Sequence, residues 1–157
     1  MNDLTIKQPK TVFNPEREFI AWVAGIIDGE GYIGVNKSIR NKKYIRHSLR
    51  VSVKMTHEPT VSLLHKKFGG NFREVKLYGN RKPQYNWEVN TLSACGFLKI
   101  VYPYLFTKKE HARLGIEFQE KLVKDTNKLK TLDKGNFNKR EEILLKFRKL
   151  NKRGARI

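Results

Sequence analysis

The segment FIAWVAGII, Phe19 to Ile27, constrains the fold most, because as a helix it is apolar on almost every side. Phe19, Val23, Ile26 and Ile27 make one stripe; Ile20, Ala24 and Ile27 make a second, and Trp22 fills part of the remainder. A helix apolar nearly all round must be covered nearly all round, and one sheet covers one side. The other side calls for a second helix, and Ala24, Gly25 and Gly29 are small enough to let two backbones come close. Asn14-Pro15-Glu16 marks the start: Asn14 can cap, Pro15 suits the first helical position, and Glu16 and Glu18 lie where the dipole favours negative charge. Gly29 or Gly31 is expected to end the helix.

Two carboxylates, Asp28 and Glu30, close this helix. Negative charge is unfavourable at a helix C-terminus unless a cation compensates it. A divalent metal does so through carboxylate and freed backbone carbonyl oxygens. The simpler readings are that Glu30 begins the next strand facing water and that Asp28 bonds the backbone of its own turn.

Beyond Gly31 the hydrophobic period falls to two. In Tyr44–Met55 one parity collects Ile45, His47, Leu49, Val51, Val53 and Met55; the other collects Arg46, Ser48, Arg50, Ser52 and Lys54. This alternation predicts a strand with one buried face and one basic, polar face. A strand at Tyr32–Ser38 would pair with it across the turn Arg40-Asn41-Lys42-Lys43. A short helix, Glu58 to Phe68, closes at Gly69-Gly70, and a second hairpin follows, Phe72–Leu77 with Gln84–Thr91. Helices are expected at Ser93–Tyr104, Lys108–Lys124 and Asn138–Leu150. The resulting α-β-β-α-β-β-α-α order, with one more helix, is an α+β architecture: one antiparallel sheet with helices on one face. It divides into an arm at 1–13, a domain at 14–124 and a basic extension at 125–157.

The charge narrows the partners. Across 157 residues, 33 Lys+Arg stand against 15 Asp+Glu, a net charge of +18. From residue 121 onward thirteen basic and four acidic residues leave a local +9. A domain so charged repels itself, and a polyanion relieves that repulsion. Cys95 is the single cysteine, which excludes an internal disulfide and a cysteine-rich zinc site; an apolar helix around it makes it a core residue. The opening residues carry no apolar signal core, and the longest apolar run is half a membrane span. A soluble intracellular protein is expected, with no membrane partner.

The stretch Val23-Ala24-Gly25-Ile26-Ile27-Asp28-Gly29-Glu30-Gly31 resembles the signature of the LAGLIDADG homing endonucleases, with Val23 and Ile26 for Leu, Gly29 for Ala and Glu30 for the final Asp. The element order supports the resemblance over residues 15–122. It implies a site-specific endonuclease that makes double-strand breaks in DNA for intron homing. It further implies a homodimer joined through the motif helix, here Ile20, Ala24, Gly25, Ile27 and Asp28. The implied metal ligands are Glu30 and the Gly29 carbonyl, holding Mg2+ or another divalent cation such as Mn2+. The implied catalytic partners are Lys108, just past Pro103-Tyr104-Leu105, with Lys109 as the alternative, and His57, at a position where a polar residue orients water. His57 read alone is a structural histidine, and Lys108 is one basic residue among many.

The polar strand parity is a candidate DNA-reading surface. Arg, Gln and Asn are the side chains that read guanine and adenine edges in the major groove, and a two-stranded ribbon fits that groove. The candidates are Arg40, Arg46, Ser48, Arg50, Lys54, Arg73, Arg81, Gln84, Asn86 and Asn90. The competing readings are an RNA-splicing maturase, which would add RNA as a partner, and a relative that binds DNA without cutting it. A ribosomal-type RNA-binding protein fits the charge but leaves the acids at the helix end unexplained.

Overall fold

The computed structural model describes residues 15–40, 44–128 and 134–152, apart from the side chains of 15, 40, 44, 125–128, 134 and 136. The N-terminal arm, Asn14, the turn residues 41–43 and the last residues, 153–157, lie outside the described residues, as does the Arg40 side chain. The chain runs α1 (Pro15–Glu30), β1 (Gly31–Arg40), β2 (Tyr44–Met55), α2 (Glu58–Phe68), β3 (Asn71–Val75) and β4 (Gln84–Asn90). It continues through α3 (Thr91–Val101), a 3-10 turn (Tyr102–Tyr104), α4 (Lys109–Lys128) and α5 (Lys134–Leu150). The expected element order is the order found. Several boundaries shift by one to four residues, α5 starting at Lys134 and α4 reaching Lys128, and two of the shifts have reasons proline supplies. Pro103 has no amide hydrogen, so the last residues expected in α3 tighten into the 3-10 turn. Pro83 does the same to β4, whose last pair with β3 is Val75 opposite Gln84, so β3 ends two residues early.

The four strands form one antiparallel sheet in the order β1-β2-β4-β3. Gly31 pairs with Val53 and Arg40 with Tyr44, while Arg50 pairs with Asn90 and Met55 with Tyr85. This register puts Ile33, Val35, Leu49, Val51, Val53, Trp87 and Val89 on one face, all buried against the helices. Phe97, Leu98, Phe118 and Leu64 fill the helical side of the core. Gly70 is where α2 turns into β3: its φ is 86°, and a Cβ there would lie 2.5 Å from the Glu88 carbonyl oxygen. Trp87 ties the same corner by donating Nε1–H to the Gly69 carbonyl at 2.7 Å.

His47, a polar residue on the apolar parity, is explained by α5. It is only 2% exposed, and its Nε2 lies 2.7 Å from Glu141 Oε1, which also receives Lys37 Nζ at 2.8 Å. The Phe137 ring meets His47 edge-on, and Leu144 and Phe147 enter the core. Asn151 Nδ2 donates to the Ile33 carbonyl at 3.1 Å. The basic C-terminal extension therefore contributes a helix that covers the edge strand β1, where unpaired backbone would otherwise be open to another chain.

Candidate active site and nucleic-acid interface

α1 ends with no basic residue in its last turn, although its final residues include two acids. The missing cation comes from about 80 residues downstream in the chain. Lys108 Nζ donates to the carbonyls of Ile27 at 2.9 Å and Asp28 at 2.8 Å, and so caps the helix and offsets its negative end. Asp28 completes the exchange: its Oδ1 accepts the Lys108 amide at 2.8 Å and its Oδ2 accepts the Phe106 amide at 2.8 Å. Asp28 thus stabilises a turn, as the simpler reading held, but the turn belongs to residues 106–108 and not to its own segment. Burial pushes the Lys108 pKa below its ordinary 10.5, against the pull of Asp28 and then Glu30.

Glu30 and Gly29 are exposed at this helix end, where β1 begins. A Cβ on Gly31 would lie 2.6 Å from the Ile27 carbonyl oxygen, so only glycine lets the strand leave the helix this closely. Because Gly31 pairs with Val53 and β2 ends at Met55, His57 follows at the same end of the sheet as Glu30. His57 is exposed at the N-cap of α2, and its Nδ1 lies 2.8 Å from Thr60 Oγ1; among the described residues no hydrogen bond joins it to Glu30 or Lys108.

Glu30 also borders the polar face of the sheet. It lines a shallow hollow of about 350 Å³ with Tyr32, Asn36, Arg50, Ser52, Lys54 and Asn86. Arg46, Lys54, Arg73 and Arg81 are exposed, and no ion pair engages them among the described residues. Ser48, Gln84 and Asn90 are half-buried. Two candidates sit differently from a free surface side chain. Asn86 is 2% exposed, at the floor of the hollow, because the longer cross-strand neighbours Lys54 and Arg73 flank it. Arg50 is engaged with Glu88, its Nη2 2.5 Å from Oε2.

The helical side treats its charge the opposite way. Lys99 pairs with Glu120, Arg113 with Glu110 and Glu117, and Lys121 with Glu117. Such surface pairs add little stability. Their consequence here is that the helices hold much of their acid next to base, while on the sheet face Arg46, Lys54 and Arg73 have no ion pair among the described residues and Arg50 alone is paired.

No protein-family model matches the chain. Solved structures do. I-CvuI, a homing endonuclease in complex with a DNA target in the presence of magnesium, matches with a TM-score of 0.72 and 21% identity, over 92% of this chain and 89% of that one. The archaeal intron-encoded I-Vdi141I, complexed with DNA, gives 0.70 and 16% over 90% and 89%. I-SmaMI, a LAGLIDADG homing endonuclease bound to cleaved DNA, gives 0.62 and 15% over 87% of this chain and 46% of its own. The fold is that of the LAGLIDADG homing endonucleases.

Within the LAGLIDADG fold, the motif helix shows which of its sides is spare. Ala24 and Ile27 are fully buried in this chain's own core, and Ile20 packs against that core. These three therefore face inward, and Asp28 is spent on the 106–108 turn. The open side of α1 is Ala21, Trp22, Gly25 and Gly29, with Trp22 42% exposed and nothing within 4 Å of a Cβ on either glycine. Phe106, 90% exposed, lies beside the Asp28 clamp. Both apolar stripes of the helix are therefore taken up by the chain's own core, Val23, Ala24 and Ile27 fully and Phe19, Ile20 and Ile26 in part, and what is left open is the small-residue side with Trp22. Sequence reasoning missed Tyr32 and Asn36 on the polar face, although the period-two rule that marked Arg50 and Lys54 extends to β1 and would have found them; Ser52 was placed on that face but not taken as a candidate. It missed the Arg50–Glu88 pair because nothing in a sequence reports which acid a long side chain will reach.

Proposed function

We propose that this chain is a single-motif homing endonuclease that pairs through α1 and cuts both strands of a long DNA target. The observation that carries the reading is the meeting at one place of three parts: the exposed Glu30, the Lys108 ammonium, and the open basic face of the sheet. The same fold in proteins crystallised on DNA supports it.

The donor set fits a hard divalent cation. Glu30 offers an exposed carboxylate beside the Gly29 backbone, which is oxygen chemistry of the kind Mg2+ takes. Among the described residues no cluster of three or more His, Cys, Asp or Glu is present, and Mg2+ takes one or two carboxylates with other oxygens. A second copy brings a second Glu30, and DNA phosphates supply further oxygens. When bound, the cation neutralises charge developing on the scissile phosphate and its leaving oxygen. The remaining steps belong to the chain itself. Lys108, fixed by two carbonyls, places a cation beside Glu30; His57 offers a ring nitrogen at the same end for ordering water. The sheet face holds the duplex through Arg46, Lys54 and Arg73, with Arg81 on the connection between β3 and β4 beside them.

The test is incubation with a duplex carrying the uninterrupted host-gene insertion site, with Mg2+ and with chelator. Cleavage of both strands only with the cation is the expected result. Tight site-specific binding without cleavage in Mg2+ or Mn2+ would replace the nuclease reading with a non-cleaving relative or a maturase.

A further inference from the structure

Glu88 is the one carboxylate that the four strands place on the polar face, since the register puts Tyr32, Asn36, Ser38, Arg46, Arg50, Lys54, Arg73, Asn86 and Asn90 there and Glu74 on the opposite parity. An acid on a surface meant for a polyanion repels it, so its retention asks for a reason. Its two oxygens are both engaged. Oε2 holds Arg50 Nη2, and Oε1 accepts Asn90 Nδ2–H at 2.9 Å. Asn90 occupies the N-cap of α3, where asparagine is among the preferred residues, yet its side chain makes no capping bond to that helix. The helix goes without that cap while the amide ties down Glu88.

Arg50 is accordingly held low against the sheet. Its Nε is buried without a partner, while Nη1 makes no hydrogen bond among the described residues. A solvated ion pair would let both long side chains wander; this one has three residues on two adjacent strands fixing it, at the edge of the hollow that Glu30 borders. Fixing the guanidinium in advance removes rotamer entropy that binding would otherwise have to overcome.

We propose that Glu88 is a specificity-determining residue: with Asn90 it positions Arg50, and the Arg50–Glu88 unit reads one G·C pair in each half-site. Arg50 donates to guanine O6 and N7, and a free lone pair of the Glu88 carboxylate accepts the cytosine N4–H of the same pair. Thymine at that place would set its O4 against the carboxylate, acceptor against acceptor, while its partner adenine offers Arg50 one acceptor in place of two. The inference rests on the sheet face being the DNA-reading surface.

The test is selection of bound duplexes from a randomised pool by the full-length wild type, Glu88→Gln and Asn90→Ala. The wild type is expected to enrich G·C at one position per half-site. Glu88→Gln should reduce that preference on the order of tenfold at that position and leave the other positions unchanged. Asn90→Ala, which leaves the ion pair but frees its anchor, should weaken preference at the same position by less and serves where Glu88→Gln does not fold. An unchanged base preference in the folded variants overturns the role of Glu88. A wild type that binds duplex DNA with no enriched motif overturns both this inference and the reading of the sheet beneath it.

Discussion

Asp28 and Lys108 hold one another through two separate pairs of atoms. The Asp28 carboxylate accepts the Lys108 amide at 2.8 Å, and the Lys108 ammonium donates to the Asp28 carbonyl at 2.8 Å. The motif helix and the start of α4, distant in sequence, are thereby locked into one piece. Glu30, two residues from one partner, is set against the other. The first acid of the motif is bound into the structure, and the second stays exposed at the helix end.

Asp28→Ala removes two charge-assisted acceptors from the amides of Phe106 and Lys108. Each such bond contributes about 1.5–3 kcal/mol, and the two are coupled, so a loss of roughly 2–4 kcal/mol is expected in urea denaturation. Asp28→Asn keeps one acceptor and should lose about half as much. A change under about 0.5 kcal/mol, the range of an ordinary surface substitution, would show that the clamp is not a stabilising element.

Glu30→Gln has the opposite profile. Glu30 is exposed, and no ion pair engages it among the described residues, so stability should stay within about 0.5 kcal/mol of the wild type. Cleavage should fall to background while binding of the same duplex is retained, because a proposed metal ligand goes and no base-reading group does. Wild-type cutting by this variant would remove Glu30 from the chemistry.

His111 gives a pH dependence with a definite sign. Burial pushes its imidazole below the ordinary 6.5; nearby Lys108 adds to the fall, and a backbone hydrogen bond with Leu150 and the charge of Glu110 oppose it. The unfolded chain therefore binds more protons than the folded one in the window below 6.5. Stability contributed by this group is present above that value and is lost as pH falls through the lowered folded pKa. Melting of wild type and His111→Gln compared from pH 7.5 to 5 should show the wild type losing more, and parallel curves would deny the shift.

Gly25→Leu separates folding from pairing. A Cβ at Gly25 meets nothing within 4 Å, so the single chain has room for the side chain. Two α1 helices packed face to face do not have that room. The variant should melt as the wild type does at low concentration, sediment as a monomer, and nick or fail to cut where the wild type cleaves both strands. A wild type that is monomeric both free and on DNA would dispose of the pairing itself.

The sequence foretold the sheet better than the site. Period-two alternation in Tyr44–Met55 has one physical cause, a pleat with one buried face, and Leu49, Val51 and Val53 are all buried as it requires. His47 fitted the pattern by position and not by chemistry, and only the tertiary partner Glu141 explains it. The motif helix was legible as apolar nearly all round, but that both its apolar stripes face its own core and the small-residue side stays open was not, since Ala24 and Gly25 differ by one small group and by a 100° turn about the axis. Asp28 was ambiguous for a related reason: its partners lie about 80 residues away, and no local rule reaches that far.

The length and symmetry of the target follow from the register. β1 and β2 pair over the ten positions from Gly31–Val53 to Arg40–Tyr44. At about 3.3 Å per residue that ribbon spans roughly 33 Å. Duplex DNA rises about 3.4 Å per base pair, so one ribbon can follow roughly nine or ten pairs. Glu30 precedes the Gly31 end of the ribbon, and α1 ends there too. Two copies joined through α1 would set both Glu30 side chains near the middle and extend their ribbons outward. The protected site should then cover about 20 base pairs and be at least partly palindromic, because each half presents the same Arg46, Arg50, Lys54 and Asn90. Both cuts should fall within a few base pairs of the centre. Footprinting and end-mapping on one labelled duplex read all three quantities together. Protection of only about 10 base pairs, or cuts at the margin of the footprint, would show that the two chains do not meet at the motif helix.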